Sequence, residues 1–206
     1  MDAAWFRQKE IELFPEFKDK QVLADLAWRH QYSPAYHFRV GLMNEDIVSD
    51  LKEGGRLLVV GSGDAYLERF LVGALGVPAD RIALSDREEI RTQGFETHRF
   101  DMYDSWPAVG EFQHILFPRS VFLGRGRQRT IPHDDAQAIE HLVRESSAHL
   151  TTPGYARMSG YLPDAPVLTD LKQKLSRERA GLVRFWKIEE LGFDRSDPDL
   201  LLFDKK

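Results

Sequence analysis

The segment of this chain that could do chemistry is a glycine turn between an apolar run and an amphipathic stretch. The run is LLVV at 57–60, and the stretch places Leu67, Phe70 and Leu71 on one face, so the pattern predicts a strand, a turn and a helix. Glycine lets a ligand approach the backbone closely, and a helix start offers unpaired N–H groups. The pattern predicts either a nucleotide-type cofactor site or a turn that only packs helix on strand. The candidate binding residues of the turn are Gly61, Ser62, Gly63, Asp64 and Ala65.

Acidic residues follow two later predicted strands and extend the candidate site. Asp86, with Arg87 beside it, follows the run RIALS, and Asp101, with Met102 beside it, follows the short strand predicted over 97–100. Ligands of open α/β sheets bind beyond the carboxyl ends of the strands. We therefore expect the glycine turn, Asp86 and Asp101 to meet at one edge of the sheet.

Strand and helix patterns alternate from residue 53 onward, which predicts an α/β domain over 53–206. Such alternation is typical of a largely parallel sheet that carries helices on both faces and right-handed crossovers. The last two strands are predicted to pair antiparallel, with a helix over 187–191 as the alternative. The predicted strands are 56–60, 81–85, 97–100, 112–117, 155–161, 182–190 and 200–204, and the predicted helices are 65–75, 133–150 and 167–175.

Residues 1–52 have a different pattern, without strands. Apolar residues at helical spacing predict helices near 5–17, 22–28 and 42–51, and the last of these ends at the Gly54-Gly55 pair. We expect this N-terminal helical extension to form a lid over the edge of the sheet that carries the candidate site.

The composition limits the class of protein. The chain has 206 residues, no cysteine and a formal net charge of −5. These values predict one main domain and exclude disulfides, thiolate zinc sites and a cysteine nucleophile. The acidic balance argues against a nucleic-acid partner. Without a signal pattern or a long apolar run, we expect a cytoplasmic protein with no membrane contact, and a homodimer is one open oligomeric state.

The order of these pieces from about residue 50 onward resembles that of the class I S-adenosylmethionine-dependent methyltransferases. The resemblance implies a Rossmann-like, doubly wound, mostly parallel seven-stranded sheet with an antiparallel last strand. It also implies S-adenosylmethionine as cofactor and S-adenosylhomocysteine as product. Asp86 would then hold the ribose hydroxyls, and the carboxylate of Asp101 would receive the adenine amine. The matching pieces are VVGSGDA at 59–65, Asp86, FDM at 100–102, FQHILF at 112–117, the passage 139–154 and the ending 198–205.

The chain departs from the family pattern at several positions. The family often has an acidic residue near Val59, a third glycine where Ala65 stands, and an acidic residue where the fourth strand begins with Gln113 or His114. Pro118, predicted to follow that strand, is a cofactor-binding candidate, although the segment around it matches no catalytic signature. These departures leave open a non-catalytic binding protein of this fold. An NAD(P)-dependent oxidoreductase is a third alternative, because the glycine turn suits both cofactors.

The hypothesis for activity is methyl transfer to a small-molecule acceptor by in-line displacement. Such a transfer chiefly needs alignment of the reacting atoms, which lowers the barrier by roughly 7–11 kcal/mol. The aromatic segment 29–39 lies just before the core, and its Tyr36 and His37 are the catalytic candidates, as a base or as aromatic faces for the reacting methyl group. The alternative is that these aromatic residues only attach the extension to the core.

Three further features receive structural interpretations. The run His133-Asp134-Asp135 is expected to open a helix rather than to bind a metal, because consecutive residues rarely point at one ion. The basic loop that contains Arg125, Arg127 and Arg129 is expected to be a solvated loop, with recruitment of an anionic substrate or RNA as the alternative. His114, inside an apolar strand, is expected to be a buried structural histidine.

Overall fold

A computed structural model describes residues 3–18, 33–122, 135–161, 165–177, 182–186 and 199–206. The helices are α1 (Ala3–Leu13), α2 (Pro34–Arg39), α3 (Glu45–Lys52), α4 (Tyr66–Gly73), α5 (Asp135–His149) and α6 (Ala165–Arg177), with short 3-10 turns at Pro15–Lys18 and Ala79–Arg81. The strands are β1 (Leu57–Val60), β2 (Ile82–Asp86), β3 (Glu96–Arg99), β4 (Phe112–Phe122), β5 (Leu150–Tyr161), β6 (Leu182–Trp186) and β7 (Asp199–Lys205).

The strands form one seven-stranded sheet in the order β3-β2-β1-β4-β5-β7-β6. The pairs among β1 to β5 are parallel, whereas β7 runs antiparallel to both β5 and β6. This arrangement confirms the predicted mostly parallel sheet with an antiparallel last strand. It also brings the carboxyl ends of β1, β2, β3 and β4 to a single edge of the sheet.

The sheet is covered on both faces, as the uninterrupted apolar runs predict. Leu58 and Val60 of β1 belong to a core that contains α5 and α6, while Leu57 and Val59 belong to a second core with α3 and α4. Successive residues of a strand point to opposite faces. A fully apolar strand such as β1 is therefore stable only between two layers of helices.

The N-terminal segment packs against α4, the helix that follows the glycine turn. Phe6, Phe14 and Phe17 form an aromatic cluster with Phe70 of α4, and the Phe6 and Phe70 ring centroids lie 5.5 Å apart. Glu10 of α1 accepts a hydrogen bond from the Ala35 N–H at 2.9 Å and another from the Ser33 hydroxyl. The Glu10 carboxylate thereby ties α1 to the start of α2. The helix predicted near 22–28 lies outside the described residues.

Two strands are longer than the sequence pattern predicts. β4 continues to Phe122 instead of ending at Phe117, and β5 begins at Leu150 instead of at Tyr155. Pro118 lies inside β4, where the register with β5 shifts between Phe117 and Val121. Proline has no N–H to donate, so it is tolerated in a strand at such an irregularity. The prediction that the strand ends at Phe117 and that Pro118 follows it is therefore wrong, because the local sequence does not reveal this shift.

The remaining boundaries differ from the predicted ones by a few residues. β6 ends at Trp186, and the alternative helix over 187–191 lies outside the described residues, as do His133, Asp134 and the basic loop. The antiparallel pairing of β6 with β7 confirms the predicted final pair. Within the described part of the chain, no helix is long and apolar enough to cross a membrane.

Candidate functional site

The glycine turn is joined to the end of the neighbouring strand β2. The N–H groups of Gly61 and Ser62 both donate to the Ser85 carbonyl, at 2.8 and 3.1 Å. Gly61 and Gly63 have φ values of 75° and 54°, in the left-handed region that glycine adopts without strain. These bonds hold the turn beside the carboxyl end of β2, as the topology predicted.

Ala65 closes the turn in an unusual backbone conformation. Its φ is 55° and its ψ is 37°, so the residue that precedes α4 is left-handed although it carries a Cβ. The left-handed conformation costs an L-residue roughly 1–2 kcal/mol. The sequence pattern indicates only that alanine is small enough to pack at the position of the third glycine. The structure adds backbone strain as a consequence of that departure.

Asp86 connects the turn to the segment that follows β2. Its Oδ2 accepts a hydrogen bond from the Gly63 N–H at 3.2 Å, and its Oδ1 accepts one from the Glu88 N–H, also at 3.2 Å. A carboxylate has about four lone-pair sites, so two further donors can still be accommodated. Asp86 is half-buried and Gly63 is exposed, which leaves this junction accessible from the edge of the sheet.

Arg87, the next residue along the chain, forms an ion pair with Glu88. Its guanidinium lies 3.6 Å from Glu88, and its side chain is half exposed. Its backbone carbonyl accepts a hydrogen bond from Arg99 Nε at 3.2 Å. Asp64, at the tip of the glycine turn, is exposed.

The segment with Asp101 and Met102 lies directly beside Asp86. The Phe100 N–H donates to the Asp86 carbonyl at 3.1 Å, which continues the pairing of β3 with β2 by one residue. The Asp101 carboxylate accepts a hydrogen bond from the Tyr103 N–H at 3.1 Å and so stabilises the turn that follows β3. Met102 is half-buried against the core. The glycine turn, Asp86 and Asp101 therefore share one edge, as predicted.

Buried polar atoms near the glycine turn have no partner. The Ser62 hydroxyl oxygen and Glu68 Oε1 are buried and make no hydrogen bond with any described residue. Glu68 lies in the first turn of α4 with an exposed fraction of 1%. Burial raises its pKa to about 8, so the side chain is largely protonated at neutral pH. The sequence analysis missed Glu68, because an acidic residue in the first turn of a helix is usually a solvated dipole partner.

Space is also open beside the turn. A Cβ built on Gly63 would meet no heavy atom of the described residues within 4 Å. The junction thus combines an exposed glycine turn, a carboxylate with spare acceptor capacity and a buried hydroxyl. These groups fit a ligand that carries hydroxyl and amino groups.

The N-terminal segment reaches the start of α4. The Tyr66 hydroxyl donates to Glu16 Oε1 at 3.1 Å, and the rings of Phe14 and Phe17 lie 5.0 and 5.1 Å from the Tyr66 ring. Burial and the negative charge of Glu16 raise the pKa of Tyr66. Because Tyr66 directly follows Ala65, this contact places the 3-10 turn Pro15–Lys18 next to the glycine turn.

Tyr36 and His37 are buried, with exposed fractions of 5% and 2%. Tyr36 packs with Val40, Leu42 and Leu200, and the Arg39 guanidinium lies 5.3 Å from its ring centre. Leu200 pairs with Ser159 near the carboxyl end of β5. Both candidates therefore lie toward the edge that carries the glycine turn, and their packing also attaches α2 to the sheet.

His114 and Gln113 lie at the opposite, amino end of the sheet. His114 Nε2 is 3.1 Å from Asp50 Oδ2, and Gln113 Oε1 accepts a hydrogen bond from the Arg56 N–H at 2.7 Å. Burial lowers the pKa of His114, although Asp50 opposes this effect. The structure thus agrees with the expected structural role of His114, and the departures at the start of β4 do not touch the candidate site.

Comparisons with known proteins agree on the architecture. No protein-family model matches this chain, and no curated protein is similar to it in sequence. Three solved structures align with a TM-score of 0.52. They are the plantazolicin methyltransferase BpumL in complex with S-adenosylhomocysteine (11% identity over 98% of this chain and 95% of that chain), the amino pentose methyltransferase CalS10 of Micromonospora echinaspora with bound S-adenosylmethionine (14%, 89% and 97%), and a Plasmodium falciparum protein described as a ribosomal RNA methyltransferase (12%, 86% and 96%).

These similarities establish the fold, and at such low identity they establish no more than the fold. The agreement extends over most of this chain and includes the N-terminal helices. The seven-stranded order with one antiparallel strand also differs from the order 3-2-1-4-5-6 of the dinucleotide-binding domains. The chain therefore has the fold of the S-adenosylmethionine-dependent methyltransferases, as its sequence resemblance implied.

Proposed function

We propose that this protein transfers a methyl group from S-adenosylmethionine to a small-molecule acceptor by in-line displacement. The junction of the glycine turn with Asp86 is the observation that carries this proposal. There, the Gly63 N–H lies 3.2 Å from the Asp86 carboxylate, and the Asp101 segment is bonded to the Asp86 backbone. Three segments that are distant in sequence thus meet at one edge of a sheet whose fold is shared with methyltransferases.

The roles of the candidate residues follow from their chemistry. The free acceptor sites of Asp86 suit two ribose hydroxyls, and hydrogen bonds to a charged group contribute about 1.5–3 kcal/mol each. Asp101 and Met102 would receive the adenine ring, as the family resemblance implies. The open space at Gly63 and the unpaired Ser62 hydroxyl would meet the amino-acid part of the cofactor. Asp64, Ala65, Arg87 and Pro118 remain proposed contributors to the same edge.

The bound cofactor would supply an electrophilic methyl carbon on a sulfonium. An electron pair of the acceptor forms a bond to that carbon while the carbon–sulfur bond breaks, and the proton of the acceptor passes to a base or to water. The protein then has to align the two reactants and exclude water. We propose that the N-terminal segment provides the acceptor side, where Tyr36 or His37 serves as base or as aromatic wall.

A small-molecule acceptor is favoured over RNA by charge. The net charge of −5 opposes attraction to a phosphate backbone. The named substrates of the structural neighbours differ: CalS10 is an amino pentose methyltransferase, whereas the Plasmodium protein is described as acting on ribosomal RNA. The fold alone therefore does not determine the chemical class of the methyl acceptor. A cytoplasmic location and a homodimer remain predictions.

Ligand binding to the intact protein tests the proposal. We expect S-adenosylhomocysteine to bind in calorimetry and to raise the melting temperature. At 100 times Kd, a ligand of the native state adds about 2.7 kcal/mol to the free energy of unfolding. NADH is the matched control, because it also carries an adenosine ribose, and it should give a much smaller shift. If neither S-adenosylmethionine nor S-adenosylhomocysteine shifts the melting temperature at millimolar concentration, the proposed function is wrong.

A non-catalytic binding protein of this fold is the second candidate. The burial of Tyr36 and His37 favours it, because neither side chain presents an exposed base in this structure. Such a protein would bind S-adenosylmethionine without consuming it. A screen of small amines, phenols and carboxylic acids for release of S-adenosylhomocysteine distinguishes the two, since an enzyme would release the product repeatedly with one of these acceptor classes.

A further inference from the structure

One face of α5 carries a row of polar side chains that hold the segment after β3. His141, Glu145 and His149 are spaced four residues apart, so they lie on the same side of the helix. His141 Nε2 is 2.9 Å from the Asp104 carbonyl, and His149 Nδ1 is 3.1 Å from the Gly110 carbonyl. A carbonyl oxygen only accepts, so His141 Nε2 and His149 Nδ1 must each donate a proton to the hydrogen bond.

Glu145, in the middle of this row, binds the backbone of Trp106. The Trp106 N–H donates to Glu145 Oε2 at 3.0 Å. The Trp106 indole Nε1–H in turn donates to the Met102 carbonyl at 3.1 Å. A continuous chain of hydrogen bonds thus runs from α5 through Trp106 to Met102, the residue next to Asp101.

Trp106 is well placed to transmit this constraint. Its exposed fraction is 8%. Its ring stacks on the His149 ring at 5.7 Å and lies 5.1 Å from the Phe100 ring. Phe100 is the residue whose N–H is bonded to Asp86. Packing and hydrogen bonds therefore fix Trp106 relative to both sides of the Asp101 segment.

The segment 100–111 needs such support because it has no regular secondary structure. Fixing one backbone residue costs roughly 1–2 kcal/mol of conformational entropy, and no ladder of strand or helix bonds offsets that cost here. Within the segment, the Asp101 carboxylate and carbonyl accept hydrogen bonds from the N–H groups of Tyr103 and Asp104. The row on α5 adds constraints from outside the segment.

We infer that Glu145 is a positioning residue for cofactor binding, which acts through Trp106 to hold the Asp101–Met102 backbone in its binding position. This inference rests on the proposed function. Glu145 does not itself touch the proposed cofactor site. Glu145 restricts the backbone of the segment before the ligand binds, so less conformational entropy is lost on binding. Removal of the Glu145 side chain therefore weakens binding.

Two measurements on the full chain test this inference. Calorimetry gives Kd for S-adenosylhomocysteine, and amide hydrogen exchange of the ligand-free protein reports the protection of 101–111. Glu145→Ala should weaken binding by about tenfold or more and should speed exchange in 101–111. Glu145→Gln should restore both properties in large part, because its amide oxygen can still accept from the Trp106 N–H.

Glu140→Ala is the matched control on the same helix. Glu140 pairs with Arg144 at 3.0 Å and with Lys174 at 2.5 Å. Among the described residues, it makes no hydrogen bond or ion pair to 101–111. Its removal should leave Kd and the exchange of 101–111 unchanged. A general loss of helix stability would affect both variants, whereas the inferred positioning affects Glu145→Ala alone.

The outcomes separate this inference from the proposed function. If the wild-type protein fails to bind S-adenosylhomocysteine, the proposed function fails and the inference fails with it. If the wild type binds and Glu145→Ala binds equally well, only the inference is overturned. Should Glu145→Ala not fold, Trp106→Phe decides, because phenylalanine keeps an aromatic ring but lacks the indole N–H that donates to Met102. Unchanged Kd in that variant overturns the inference, and weaker binding with a similar melting temperature supports it.

Discussion

The two ends of the sheet treat their buried polar side chains differently. At the amino end, His114 Nε2 is bonded to Asp50 and Gln113 accepts from the Arg56 N–H, although His114 Nδ1 has no partner among the described residues. At the carboxyl end, Ser62 Oγ and Glu68 Oε1 have no hydrogen-bond partner among the described residues. An unsatisfied buried polar group costs about 1–3 kcal/mol. Both side chains at the amino end thus have at least one partner, whereas the unpaired atoms at the carboxyl end lie beside the glycine turn, next to the proposed ligand.

Glu68 and His114 extend this contrast, because each is a buried ionisable group near one end of the sheet. Burial disfavours the charged form of both, so it raises the pKa of Glu68 to about 8 and lowers that of His114. The consequences for stability are opposite in sign. Ionisation of Glu68 destabilises the protein as pH rises, and protonation of His114 destabilises it as pH falls.

The largest expected effect concerns two tyrosines near opposite ends of β5. Tyr36 packs on Leu200 near the carboxyl end, whereas Tyr155 stacks on His114 at the amino end with ring centres 5.8 Å apart. If Tyr36 is the proposed base, Tyr36→Phe should lower kcat by about 10²–10⁴ at nearly unchanged melting temperature. Tyr155→Phe should leave kcat unchanged. Equal turnover in both variants, measured with an identified acceptor, would leave Tyr36 with a packing role only.

Glu68→Gln should change the pH dependence of stability. The folded protein binds the Glu68 proton more tightly than the unfolded chain does. The contribution of protonated Glu68 to the free energy of unfolding is therefore fully present below pH 4.5 and declines as pH rises toward 8. Glutamine is neutral at every pH. We expect the free energy of unfolding of the variant, relative to that of the wild type, to be a few kcal/mol higher at pH 8 than at pH 5. Each pKa unit corresponds to about 1.4 kcal/mol.

Urea denaturation at pH 5, 6.5 and 8 measures this difference. Glu53→Gln is the control, because Glu53 is exposed at the end of α3. Its pH dependence should follow that of the wild type. If the free energy of unfolding changes equally with pH in Glu68→Gln and in the wild type, Glu68 is not in a buried, protonated state.

Two aspartates at opposite ends of β2 sharpen the contrast for ligand binding. Asp86 lies at the carboxyl end, and Asp80 precedes the amino end with a side chain 78% exposed. Asp86→Asn should weaken binding of S-adenosylhomocysteine by about 10- to 100-fold, because it removes charge-assisted bonds. Asp80→Asn should have no effect on Kd in calorimetry. Equal affinities would remove Asp86 from the binding site.

The sequence was sufficient to predict the topology and the meeting of the three segments. The predicted strands before Gly61, Asp86 and Asp101 place these residues after parallel strands, and parallel strands end at a common edge. Local pattern determines both facts. The roles of these residues in binding stay predictions, because they depend on a ligand rather than on the chain alone.

The features that the sequence did not reveal depend on tertiary contacts. The burial of Glu68 follows from how α4 packs on its neighbours, and periodicity cannot tell an acidic residue at the margin of a buried face from a solvated one. The extension of β4 through Pro118 depends on pairing with β5. The link from Glu145 to Trp106 joins residues 39 positions apart, and no local pattern encodes it.

The smallest expected effect is that of His114→Phe, which tests whether the two ends are independent. The phenyl ring preserves the stacking on Tyr155 and removes the hydrogen bond to Asp50. At pH 8 the free energy of unfolding should change by about 1 kcal/mol or less.

The folded protein binds the His114 proton less tightly than the unfolded chain does. The wild type therefore keeps the full contribution of neutral His114 above pH 6.5 and loses it as pH falls below that value, and the variant should lack this loss. Kd for S-adenosylhomocysteine should stay unchanged, since the site is at the other end of the sheet. A weakened Kd in a variant of unchanged stability would show that the amino end also shapes the site, and the division of roles between the two ends would then have to be abandoned.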